Sequence, residues 1–240
     1  VLGDTSSPAS DLSTTAANID EMNDMMDRYS ESMDLFRMFP APLFAEAIKI
    51  NHLRMRAVGQ HPPTHELTSE GYEILRIILA FNPDDWATMK ATSQSSDFVM
   101  IGGIYKAAVA LYCISSLQSL LILPTASFLT HLSVTLTQCL EQLISEALPL
   151  QKFQRLLLWP LVVLGVQAAK GHKSTRGFVR DELLKSSCAT GIYTPRMAKD
   201  ILEAFWSSGK FSWDDCFREP YMLWSLQGIE SRGLWRAIQS

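Results

Sequence analysis

His61 and His65 stand four residues apart, the spacing at which a helix would aim two imidazoles at one zinc ion. Pro62 and Pro63 lie between them and bar that helix, so the pair is no metalloprotease motif. His131 and Cys139 fall about two helical turns apart, without the second pair of ligands that a structural zinc site needs. No metal and no cofactor is expected. Serines are plentiful, but none sits in a Gly-x-Ser-x-Gly elbow. Cys113 and His52 could meet only through tertiary folding, and each reads singly as a buried thiol and an ordinary histidine. Ile101-Gly102-Gly103-Ile104 lacks a following Lys-Ser/Thr and opens no βα unit, so the glycines mark close helix packing or a break rather than a phosphate loop. One acid–base set remains: His52, Arg54 and Glu73. In an apolar pocket these would orient or protonate a substrate for cyclisation or isomerisation without metal. The cluster Lys49, His52, Arg54 and Arg56 also reads as a solvated helix face, or as an anchor for the polar head of a ligand.

The elements that position these residues are helical throughout. Apolar residues at Ile19, Met22, Met26, Tyr29, Met33 and Phe36 step by three and four, with acids on the opposite face. This predicts an amphipathic helix whose methionine seam docks on the core or on a partner, as a homodimer or coactivator contact. Pro40 and Pro42 end it. Further helices are predicted over 41–58, 67–81, 97–121, 126–148, 150–169 and 175–190. A loop over 59–65 separates the first two of these. Asn82-Pro83-Asp84-Asp85 starts a helix, because Asn caps, Pro fits the first turn and two acids face the positive end of the dipole. Thr194-Pro195 opens another, which stops at Gly209. Pro160 lies inside the 150–169 segment and predicts a kink or break there. Gly191 is a left-handed cap candidate. Residues 1–15 are rich in Ser, Thr, Pro and Asp and are expected to be a disordered lead-in to an all-helical domain over 16–240. No run alternates with a strand period. The expected fold is all-α: one domain of eight to ten helices around a buried central helix, with no sheet.

That central helix is Trp159-Pro160-Leu161-Val162-Val163-Leu164-Gly165-Val166-Gln167-Ala168, too apolar to lie on a surface and shorter than a membrane span needs. The stretch 107–123 is broken by Ser115, Ser116, Gln118 and Ser119 and also reads as a core helix, so no membrane span is expected. With 47% hydrophobic and 19% charged residues, the chain must bury a large core, enclose an apolar cavity or present a partner surface. A formal charge of −4 argues against direct contact with nucleic acid from this chain. The four cysteines, Cys113, Cys139, Cys188 and Cys216, form no Cys-x-x-Cys pair and read as buried and reduced in a nuclear or cytoplasmic protein. The polar N-terminus lacks the basic-then-apolar pattern of a secretory leader. Trp159, Val163, Tyr112, Phe205, Trp206 and Met38 are the candidates to line a cavity for a lipophilic small molecule.

Several ordered blocks carry a family resemblance. They are Met38-Phe39-Pro40-Ala41-Pro42-Leu43-Phe44, Ile50-Asn51-His52-Leu53-Arg54, Gly71-Tyr72-Glu73-Ile74-Leu75 and Phe81-Asn82-Pro83-Asp84-Asp85-Trp86. Farther on come 108–114, the Trp159-Pro160 motif, Arg180-Asp181-Glu182-Leu183, Phe205-Trp206 and Trp213-Asp214-Asp215-Cys216-Phe217. Over about 34–221 their order and spacing resemble the fungal-specific transcription factor domain of fungal binuclear zinc cluster regulators, of the type seen in sterol uptake control proteins. The resemblance implies an all-α regulatory half that senses a lipophilic molecule or a partner in gene control, including secondary metabolism. It implies a DNA-reading cluster of six closely spaced cysteines elsewhere, since this chain has no such cluster. The rival expectation is a free-standing relative recruited as a cyclase or isomerase, using the same pocket.

Overall fold

A computed structural model describes residues 5–12, 38–60, 62–90, 95–171, 173–219 and 221. The helix expected over 19–36 with its methionine seam lies outside the described residues, as do His61, His172 and the tail beyond Tyr221.

The described residues hold nine α-helices, two short 3-10 turns and no strand: α1 (Ala41–Ala57), α2 (His65–Ala80), α3 (Pro83–Met89), α4 (Ser95–Ser119), α5 (Ser127–Ala147), α6 (Leu158–Gln167), α7 (Lys173–Thr190), α8 (Thr194–Ser207) and α9 (Trp213–Cys216). Local chemistry sets many of their ends. Thr64 caps α2 by accepting from the Leu67 amide, Asn82 caps α3 by accepting from Asp84, and Ser212 caps α9 by accepting from Asp215. Gly191 and Gly209 follow α7 and α8 in the left-handed conformation that lets the chain turn away, at φ 66° and 69°.

Two helices share the centre. α6 is buried from Trp159 to Val166 and packs against α4, α5, α7 and α8. The longer α4 packs against α1, α2, α3, α5, α6 and α9, so it is the wider hub. It is apolar all round, which is what a helix surrounded by others requires. By length and composition α4 could cross a bilayer, but 78% of its apolar window is buried inside this domain. Two of the serines that interrupt it are absorbed locally: Ser115 Oγ donates to the Leu111 carbonyl and Ser119 Oγ to that of Ser115, whereas Ser116 Oγ is buried without a partner among the described residues.

Three expectations need correction. The 150–169 helix is two elements, a 3-10 turn at Gln151–Phe153 and then α6. Pro160 therefore stands in the first turn of α6, where its missing N–H costs nothing, and the break precedes it. Cys139 and Cys188 are exposed, because they sit on the outer faces of α5 and α7; only Cys113 and Cys216 are buried. Lastly, Thr5–Ala9 belongs to the expected disordered lead-in, yet these residues are buried against the core.

Gly165 lets α6 and α8 touch. A Cβ there would stand 2.4 Å from Leu202 Cδ1. The same close approach brings Trp206 Nε1 within 2.9 Å of the Gly165 carbonyl, to which it donates. Arg176 of α7 ties down the end of α6 by donating to the Ala168 and Ala169 carbonyls. Gly102 serves closeness of the same kind between α4 and α3, since a Cβ there would lie 3.1 Å from Pro83 and Trp86.

Candidate functional site

The centre of the domain is a chain of aromatic rings with a polar knot on one side. Phe39, Phe44, Tyr105, Trp159, Tyr112, Trp213, Phe217 and Tyr221 follow one another with ring centroids 4.8–6.3 Å apart. Most neighbours meet edge-on or tilted, the arrangement that ring quadrupoles favour. These rings come from α1, α4, α6 and α9, and from the segments leading into α1 and out of α9. The spine therefore joins the entry to α1 with the exit from α9.

Arg54 is the knot. Its side chain is completely buried. Nη1 donates to the Tyr112 hydroxyl at 2.9 Å, and Nη2 donates to Asp214 Oδ1 at 2.6 Å and to the Ser7 carbonyl at 2.9 Å. Tyr112 in turn donates its hydroxyl hydrogen bond to Asn51 Oδ1. Burial alone would lower the arginine pKa. The Tyr112 and Asp214 oxygens outweigh it, so the guanidinium is held charged above its ordinary value. Burial pushes the Tyr112 phenol up to about 12, against the opposing pull of Arg54, and keeps it a neutral donor. Beside the knot, Trp159 Nε1 donates to Thr5 Oγ1 and Trp213 Nε1 to the Thr5 carbonyl.

The expected cavity residues divide. Trp159, Tyr112 and Val163 lie fully buried in the main core with Phe205 close by, and Met38 is half-buried against it. Trp206 is half-buried, held by Gly165 and crossed by the Arg176 guanidinium. Trp159 and Tyr112 touch each other, whereas Trp206 belongs to the α6–α8 contact instead. None of the six lines either of two open grooves between α1 and α2.

The acid–base set does not assemble. His52 and Arg54 are two residues apart on α1 and so point to different sides. Arg54 goes inward, contrary to the solvated face expected of it. His52 is half-buried, with its Nε2 enclosed and without a partner among the described residues. Glu73 lies on the outer face of α2, where two hydrogen bonds from Arg76 hold it below the ordinary carboxylate range. A general acid needs the opposite shift. Among the described residues, no three His, Cys, Asp or Glu side chains cluster to hold a metal ion.

Sequence reasoning missed Asn51, Asp214, Thr5 and Ser7. A signal for Arg54 was present: Leu43, Ala47, Ile50, Arg54 and Ala57 step by four and three, which puts the arginine on the apolar stripe of α1.

Residues 40–226 match the family described as the fungal specific transcription factor domain, close to the span that the motifs cover. The chain belongs to that family. A similar protein of Leptosphaeria maculans carries the name phomenoic acid biosynthesis cluster-specific transcriptional regulator; it is 40% identical over 223 residues, which are 92% of this chain and 43% of that protein. The domain thus spans less than half the length of the relative. No solved structure matches it. Family membership fits the all-helical architecture that the motifs led us to expect.

Proposed function

We propose that this domain is the regulatory part of a nuclear fungal transcriptional regulator that controls genes of a secondary-metabolite cluster. The family match over 40–226 carries this reading, and the name of the Leptosphaeria maculans relative supports the cluster-specific part. DNA contact then falls to another part of the protein, in keeping with the charge of −4 on this chain. The domain sets activity by choosing between two helix arrangements, one of which a lipophilic molecule, a coactivator or a second copy binds better. Arg54 and the ring spine suit such a switch. Helices α1, α4, α6 and α9 all depend on them, so a change at one is felt by the others.

The test fuses this chain to a heterologous DNA-binding domain and follows a reporter gene in a fungal host. The intact fusion should set reporter output at a level different from the bare DNA-binding domain, and Arg54→Met should shift that level. A fusion indistinguishable from the bare DNA-binding domain under all growth conditions of the source pathway would refute the regulatory reading.

A further inference from the structure

Thr5, Ser6, Ser7, Pro8 and Ala9 are buried, although none is large and three are polar. Their apolar surface is too small to account for this. They are held instead by donors from three helices. Trp159 of α6 donates to Thr5 Oγ1 at 2.9 Å, Trp213 of α9 to the Thr5 carbonyl at 2.8 Å, and Arg54 of α1 to the Ser7 carbonyl at 2.9 Å. The Tyr221 amide adds a bond to the Ser6 carbonyl at 3.1 Å. The fit is incomplete, since Arg54 Nε and Ser6 Oγ are buried with no partner among the described residues. The strap is therefore an acceptor-bearing occupant of a donor-lined recess with an aromatic floor, and it leaves one of the recess's donors unused.

We propose that this recess is a ligand site held shut by residues 5–9, and that it takes a neutral apolar molecule bearing carbonyl or hydroxyl oxygens in place of the strap. The ligand class follows from the donors and from charge. Two indole N–H groups and a guanidinium call for oxygen acceptors. Arg54 already has its counter-charge in Asp214 at 2.6 Å, so a carboxylate in the position of the Ser7 carbonyl would sit against a like charge. Trp159, Tyr112 and Trp213 are fully buried and pack ring against ring, so the floor on which the strap rests is aromatic and a larger apolar occupant meets it only once the strap has left. An occupant with the same oxygens and more apolar area wins the recess and frees the strap, which is the differential binding a switch needs. The site rests on the regulatory reading above and names its ligand class.

The test uses δ-dodecalactone and progesterone as neutral carbonyl probes and dodecanoate as the charged match. Titration calorimetry compares the full chain with one lacking residues 1–12. A strap that occupies the recess lowers apparent affinity by the fraction of time it is docked, so its removal should tighten a neutral probe about ten-fold or more. Dodecanoate should stay weak on both. In the unaltered chain, which avoids any folding defect of the truncation, the neutral probe should raise deuterium uptake at 5–12 and lower it at 158–167. A synthetic peptide of residues 4–12 should compete with the probe for the truncated chain. The proposal is overturned if uptake at 5–12 in the unaltered chain is unmoved by saturating probe, or if dodecanoate binds as tightly as the lactone. A positive reporter result with no probe binding would sink this site and leave the regulatory reading standing.

Discussion

Arg54→Met removes a guanidinium that holds three elements and replaces it with an apolar chain of similar length. Asp214 loses a partner at 2.6 Å, the Ser7 carbonyl loses its donor, and Tyr112 keeps its bond to Asn51 but accepts none from arginine. Breaking a buried ion pair from one side costs about 3–5 kcal/mol. The Asp214 side chain is 23% exposed, so water relieves part of that and the lower end applies. An unsatisfied buried carbonyl adds about 1–3 kcal/mol. Methionine fills most of the volume, so the cavity term is small. The sum is about 4 kcal/mol, a large fraction of the ~5–15 kcal/mol that holds a typical domain together. Urea unfolding followed by far-UV circular dichroism measures it. With a slope of about 3 kcal/mol/M or less, the midpoint should fall by more than ~1 M. Adding Asp214→Asn to Arg54→Met should return part of the loss, because the stranded carboxylate is gone, with a coupling of about 1–3 kcal/mol. A single Arg54→Met variant within ~0.5 kcal/mol of the parent would refute the reasoning, since that is how an exposed arginine behaves.

Two further perturbations probe the same core. Gly165→Ala puts a methyl 2.4 Å from Leu202 and should cost about 1–3 kcal/mol by overpacking; Leu202→Ala in the same chain should recover part of it, and a double variant that is simply the sum of the singles would argue against the contact. The Tyr112 pKa is raised in the fold to about 12, above its ordinary value of about 10, so the stability it contributes is intact below about pH 10 and drains as pH rises through 12. Tyrosinate absorbance should therefore show a late step that coincides with loss of helicity. All six tyrosines titrating near pH 10 with helicity unchanged would contradict the burial of Tyr112.

Much of the fold was legible in the chain because helices announce themselves locally. The three-and-four spacing of Leu43, Ala47, Ile50 and Leu53, the Asn82-Pro83 start and the glycines after α7 and α8 are each decided within a few residues. The all-apolar run from Trp159 to Val166 could only be interior, and it is. The candidate site was legible in part. Trp159 and Tyr112 are legible as core rings by their size and apolar surroundings, and they touch each other.

Tertiary structure alone decided the rest. Charge says that arginine prefers water, and nothing nearby in sequence announces that Asp214, 160 positions away, and Tyr112, 58 away, make burial tolerable. Composition says that Thr5-Ser6-Ser7 has no reason to leave solvent. Its burial depends on donors 154 and 208 residues distant, which no periodicity encodes. Helices are specified by neighbours along the chain, whereas a buried polar contact exists only once remote donors and acceptors have been brought together. That is why the sequence by itself determined the helical body of this protein, and folding in three dimensions determined the knot at its centre.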